Sequence, residues 1–210
     1  MDRKTERLPK ALYVAGDLAA IVITQVLVYF GTRFFLAGRE LHVLTGALDA
    51  HIPFIPAWIV VYLLAFPTWV IGAVLILSES RSHARLFLCA YILALLLAGL
   101  IFLLWPGTMA RPQLLGDGFF IRLTRLIYEA DTPTNLCPSL HVLSSFFCWR
   151  GTLGCRKIPS WYSVFNLIFL LLVCFSVLFV KQHALIDIPV AILLGEATVR
   201  VSLFLDSRTK

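Results

Sequence analysis

A helix that crosses a bilayer needs about 20 mainly apolar residues. The chain offers four such stretches: residues 11–30, broken once by Asp17, and the uncharged residues 55–77, 86–105 and 158–180. Two weaker stretches complete the set. Residues 139–153 are shorter and open on polar side chains, and residues 184–205 contain Asp187, Glu196 and Arg200. Lipid cannot satisfy backbone polar groups, so all six are expected as helices, with Pro56, Pro67 and Pro189 as local kinks. The expected fold is all-α, a single domain over residues 1–210. It is a polytopic bundle of six transmembrane helices with interfacial helical segments in two long connections. The first connection, residues 31–53, alternates apolar side chains with a few charges. The second, residues 106–137, is longer than a structural link requires. Within it, residues 118–128 place Phe119, Phe120, Leu123 and Ile127 on one register and Arg122 and Arg125 on another. That pattern fits an interfacial helix guiding an amphiphile, or a surface helix with snorkelling arginines.

Composition supports the membrane reading. The chain is 60% apolar and 14% charged, against about 25% charged in soluble domains. Its net charge of +6 does not indicate nucleic acid, because the cations form short clusters between apolar runs and no recognition motif accompanies them. With six spans, the N-terminus, residues 78–85, the link holding Arg150, Arg156 and Lys157, and the C-terminus share one side and hold 12 of the 18 Lys and Arg. The other side holds Arg33, Arg39, Arg111, Arg122, Arg125 and Lys181. The positive-inside rule then puts both termini in the cytoplasm. Residues 1–10 are basic and lead into an apolar run, as in a signal peptide, but no small-residue cleavage site follows, so a retained first span is expected. The five cysteines show neither a disulfide framework nor metal-ligand spacing.

Ionisable residues in apolar spans are costly and point to function. Three segments on the expected outer side carry them: Arg111-Pro112, Pro138-Ser139-Leu140-His141, and Lys181-Gln182-His183 with Asp187. His183 and Asp187 are four residues apart, one face of a helix. A carboxylate on one imidazole nitrogen fixes the tautomer and frees the other as a nucleophile. His141 can protonate a leaving oxygen. Arg111 and Lys181 can bind a phosphoryl group, and a helix beginning near Pro138 aims N–H groups and the Ser139 hydroxyl at an anion. Asp131 and Asn135 either cap the fourth span or shape the pocket. Glu196 and Arg200 form a structural i,i+4 pair, Asp17 requires a partner on another helix, and His42, His51 and His83 read as surface residues. A zinc site from His141, His183 and Asp187 is disfavoured because Arg111 and Lys181 repel a cation.

The segment from Asp131 through Asn135, Pro138, Ser139 and His141 resembles the central motif of the type-2 phosphatidic acid phosphatase superfamily. Lys181-Gln182-His183 with Asp187 resembles its last motif, and Arg111-Pro112 the end of its first. The likeness runs from about residue 100 to the end. It implies a six-helix membrane bundle and metal-independent, cofactor-free catalysis through a phosphohistidine. His183 would be the nucleophile, Asp187 its partner and His141 the acid and later the base, with Arg111 and Ser139 holding phosphate. Two cations of the family pattern are replaced here by Leu104 and Val177, and Lys181 stands in for one of them. The Lys-Gln-His form resembles a branch containing head-group phosphotransferases as well as phosphatases.

The expected activity is therefore hydrolysis of a lipid phosphate or diphosphate at the outer face of the plasma membrane, with undecaprenyl pyrophosphate, phosphatidic acid and phosphatidylglycerol phosphate as candidates. The expected partners are that lipid and the bilayer. The alternatives are a lipid head-group phosphotransferase using the same histidine, and a non-catalytic lipid-binding or carrier protein.

Overall fold

The computed structural model describes residues 9–208. Arg3, Lys4, Arg7 and Lys210 of the orientation count lie outside the described residues. The regular structure of the described chain is mainly helical: α1 (Lys10–Leu36), the short α2 (Ala47–His51), α3 (Ile59–Leu77, preceded by a 3-10 turn at Pro56–Trp58), α4 (Arg81–Leu104), α5 (Phe119–Ala130), α6 (Leu140–Thr152), α7 (Ser160–Phe179) and α8 (Asp187–Arg208). Five of these (α1, α3 with its leading turn, α4, α7 and α8) are long and apolar enough to cross a membrane.

The boundaries depart from the sequence reading where capping decides them. Helix α4 begins at Arg81, because the Ser80 hydroxyl accepts from the His83 N–H at 3.2 Å; Arg81 and Arg85 are thus helical, not part of a link. Helix α1 continues to Leu36, which shortens the first long connection. Pro56 and Pro189 fall in first turns, where a missing N–H leaves no bond unmade, so only Pro67 sits inside a helix.

The two long connections are joined by a small parallel ribbon, β1 (His42–Val43) with β2 (Gly107–Thr108), in the register His42↔Gly107 and Val43↔Thr108. An all-helical reading did not anticipate it. A side chain at Gly107 would meet Leu44 Cδ1 at 2.2 Å, so glycine permits the close approach.

Helix α6 explains its own weak hydropathy. Its 13 residues reach about 20 Å, less than the roughly 30 Å of a hydrocarbon core. It packs against α3, α4, α7 and α8, and nine of its residues are buried. Its surroundings are protein, which offers partners to polar side chains, as when Ser145 Oγ accepts from Trp69 Nε1 at 2.9 Å. Small residues let the neighbours close in: a Cβ on Gly72 of α3 would lie 2.9 Å from Cys148 Sγ, and one on Gly195 of α8 would lie 2.5 Å from Phe146.

One end of the bundle is stitched by ion pairs. Asp17 of α1 finds its partner in Arg81 at 2.6 Å. Glu196 binds Arg200 at 2.8 Å, as its spacing predicted, and also Arg150 at 3.0 Å. Glu79 accepts from the backbone N–H groups of Arg156 and Lys157 at 2.9 and 3.0 Å, joining two links. His83 is half-buried rather than a surface residue, with Nε2 2.8 Å from the Gly151 carbonyl; His42 and His51 are exposed.

Candidate functional site

At the other end, α1, α3, α5, α6 and the turn between α7 and α8 enclose a cavity of about 320 Å³. The turn is built first. The N–H groups of Gln182 and His183 both donate to the Val177 carbonyl, at 2.9 and 3.1 Å, closing α7. Lys181 takes the left-handed conformation there, with φ 53°, a frequent way to end a helix. Asp187 then opens α8, and its Oδ2 accepts from the Ala184 N–H at 2.9 Å.

That same Oδ2 lies 3.0 Å from His183 Nδ1. His183 therefore precedes α8 instead of sharing a helical face with Asp187; the turn makes the pair. Nδ1 is also 2.9 Å from the Leu136 carbonyl. A ring nitrogen held between two acceptors carries the proton, and in the neutral ring this leaves the Nε2 lone pair free.

His141, in the first turn of α6, sits in an aromatic box. Its ring stacks on Tyr62 at 4.0 Å and meets Trp69 and Phe66 edge-on at 5.0 and 5.3 Å. The His183 ring is 6.3 Å away, centroid to centroid, so one tetrahedral group can touch both imidazoles.

Arg111 completes the group. It lies over the Tyr128 ring, its Cζ 4.4 Å from the centroid. Its Nη1 donates to the Asp131 carbonyl at 2.5 Å and its Nη2 to Gln182 Oε1 at 2.5 Å. Burial pulls its affinity for the proton below the ordinary arginine value, and the Asp131 carboxylate opposes that shift. Three buried nitrogens on this cavity, Arg111 Nε, Gln182 Nε2 and His141 Nε2, have no hydrogen-bond partner among the described residues.

Asp131 and Asn135 also line the cavity. Neither caps α6, because Ser139 does so, its Oγ accepting from the Val142 N–H at 3.3 Å. Asp131 Oδ1 accepts from the Tyr29 hydroxyl. Asn135 Nδ2 donates to the Tyr29 carbonyl and to Thr32 Oγ1, both at 2.9 Å, fixing the loop to α1.

Two expected phosphate ligands are placed elsewhere. Ser139 is fully buried and its hydroxyl is used as the cap. Lys181 Nζ donates to the Asp49 and Ile52 carbonyls, at 3.0 and 2.6 Å. Neither residue lines the cavity. The left-handed turn at Lys181 directs it to the α2 segment, where Asp49 Oδ1 also accepts from the Leu185 N–H at 2.8 Å.

The sequence reading missed Gln182 and the Tyr62, Phe66, Trp69 stripe. The stripe's i, i+4, i+7 spacing was visible as one face of α3, but spacing does not say what a face meets. Cys137 is no rival nucleophile: burial first, then the nearby Asp187 carboxylate, push its thiol up to about 12. Among the described residues no group of three or more His, Cys, Asp or Glu is arranged to hold a metal ion.

Comparisons with family models, with curated proteins and with solved structures give no match to this chain.

Proposed function

We propose that the chain is a membrane-embedded enzyme of lipid phosphoryl transfer that uses His183 as its nucleophile, the activity implied by its resemblance to the type-2 phosphatidic acid phosphatases. The observation that carries this reading is the Nδ1 of His183 held between Asp187 and the Leu136 carbonyl, with Nε2 left free beside Arg111 and His141 on one cavity.

In this scheme Nε2 of His183 attacks phosphorus while Arg111 binds its non-bridging oxygens. His141 gives a proton to the departing oxygen and later takes one from the acceptor. With water as acceptor the enzyme is a lipid phosphatase. With a lipid or sugar hydroxyl it is a head-group phosphotransferase. The placement of Lys181 outside the cavity favours keeping this second reading, since the site then differs in charge from the phosphatase pattern.

We place α6 as the sixth membrane-embedded helix, inside the five that are long enough to span. Both termini then face the cytoplasm and the cavity faces the outer side of the plasma membrane, with α5 lying at that interface. Phe119 and Leu126 of α5 are exposed apolar side chains suited to lipid contact. A cysteine introduced at Gln113 should react with impermeant thiol reagents applied outside intact cells. Reaction only from the cytoplasmic side would reverse the orientation.

The activity is tested by turnover of lipid phosphates by the purified protein, with His183→Ala as control. Lipid binding without turnover, unaltered by that substitution, would mark a carrier instead.

A further inference from the structure

We infer that a second cavity, at the ion-paired end of the bundle, binds the phosphate of an anionic phospholipid from the inner leaflet. This is independent of the chemistry at His183; only the choice of leaflet rests on the orientation proposed above.

The cavity lies between α4, α6 and α8 and measures about 150 Å³. Its polar side chains are few. Among the described residues His83 and Arg150 are the only titratable groups that line it, Ser202 adds a hydroxyl, and no carboxylate lines it. Each of the three keeps bonding capacity in reserve. Arg150 donates to Glu196 Oε2 through Nε, at 3.0 Å, and its two Nη groups donate to no described residue. His83 Nε2 is used on the Gly151 carbonyl at 2.8 Å, which leaves Nδ1. Ser202 is 7% exposed and its hydroxyl bonds to no described residue. A buried helical hydroxyl ordinarily turns back to a carbonyl of the preceding turn, as Thr198 does to Gly195 at 2.9 Å.

Charge points to an anion. Glu196 is shared between two guanidiniums, because Arg200 Nε also donates to it, at 2.8 Å. That trio carries one surplus positive charge. Two further carboxylates of this end, Asp17 and Glu79, are already held, by Arg81 and by the N–H groups of Arg156 and Lys157. The free edge of an arginine matches the oxygens of a phosphate.

The walls point to a lipid. Phe87, Phe147 and Val199 line the cavity, and so do Leu153 and Leu203, which are 42% and 45% exposed. The cavity therefore reaches the apolar surface of the bundle. At about 30 Å³ for each water, its volume equals about five waters. A phosphate fits inside, and acyl chains must stay in the bilayer against Leu153 and Leu203. Basic pockets between membrane helices on the cytoplasmic side take anionic head groups, which that leaflet supplies. A head group seated here touches α4, α6 and α8 together. Helix α6 carries His141 in its first turn and α8 opens on Asp187, so one bound lipid fastens the far ends of two helices that build the first cavity.

The test uses the full chain purified in detergent, read by its unfolding midpoint and by native mass spectrometry of retained lipid. Phosphatidylserine, phosphatidylcholine of the same acyl chains, and inorganic phosphate are added in separate arms. Phosphatidylserine should raise the wild-type midpoint by about 5 °C, and the other two by less than about a third of that. It should also be the lipid retained. Arg150→Gln, which removes the charge, and Ser202→Leu, which fills the cavity, should each remove most of the shift. Arg111→Lys, at the other cavity, should keep it. No shift with phosphatidylserine, or equal shifts with phosphatidylcholine or inorganic phosphate, would overturn the inference. A full shift in Arg150→Gln or in Ser202→Leu would overturn it as well, and so would loss of the shift in an Arg111→Lys protein whose midpoint without lipid is normal.

Discussion

Asp187 Oδ2 holds two hydrogen atoms at once, the Ala184 N–H at 2.9 Å and the His183 Nδ1–H at 3.0 Å. One carboxylate therefore shapes the turn that opens α8 and sets the tautomer of the proposed nucleophile. Asp187→Asn retains an acceptor for Ala184 but lets the imidazole adopt the opposite tautomer. Turnover should fall by about 10³-fold or more, as when the carboxylate of a catalytic triad is replaced, with the unfolding midpoint little changed. Steady-state kinetics and thermal unfolding of the same preparation check both halves.

Arg111→Lys separates geometry from charge. The guanidinium is held by the Asp131 carbonyl, Gln182 and the Tyr128 ring, and an ammonium cannot reproduce that planar set. A loss of about 100-fold in kcat/KM is expected. A loss under threefold would remove Arg111 from the phosphate site.

Lys181→Ala should behave differently. Its Nζ donates to two carbonyls that fix the α2 segment against the α7–α8 turn. Stability should drop by about 1–2 kcal/mol, while KM stays within about threefold because no contact to the bound anion is removed. A large rise in KM with unchanged stability would restore Lys181 as a phosphate ligand.

Cys137 stands next to the site with its thiol held protonated, up to about 12. Its folded value lies above the ordinary thiol value, so the reactive thiolate stays scarce at mildly alkaline pH. Maleimide labelling of Cys137 in that range should be slow, and Cys137→Ser should keep most of the turnover. Rapid labelling that abolishes activity would give the thiol a chemical role.

Gly195→Leu tests the bundle itself. Even a Cβ there would lie 2.5 Å from Phe146, a ring that is almost fully buried. Overpacking should cost about 1–3 kcal/mol or more, read as a lowered unfolding midpoint.

The apolar stretches were legible because lipid allows backbone polar groups no partner but the helix itself, so length and composition nearly decide the element. Where protein replaces lipid the rule weakens, and α6 is the case: its 13 residues look marginal until they are seen inside the bundle. Helix ends were misjudged where a single side chain decides, as Ser80 does for α4. Of the candidate site, His141, His183 and Arg111 were named from the sequence, and the structure brings them to one cavity. Asp187 was named as the partner of His183, whereas the contacts of Arg111 with Gln182 and Tyr128 and the aromatic box around His141 were not. Lys181 looked like a phosphate ligand by type and position, but one left-handed backbone step points it away. Gln182 was named only within the Lys-Gln-His form, with no role of its own, yet it accepts from Arg111. The β1–β2 ribbon joins residues far apart in the chain, and no local pattern announces such a pairing.

The most direct test of histidine catalysis is turnover by the purified protein in the presence of a metal chelator, wild type against His183→Ala. Phosphatidylglycerol, phosphatidic acid and a polyprenyl diphosphate are offered in parallel, and consumption of each lipid is followed. The account predicts turnover that survives the chelator and disappears in the variant. Turnover that persists in His183→Ala, or that the chelator abolishes, would contradict it.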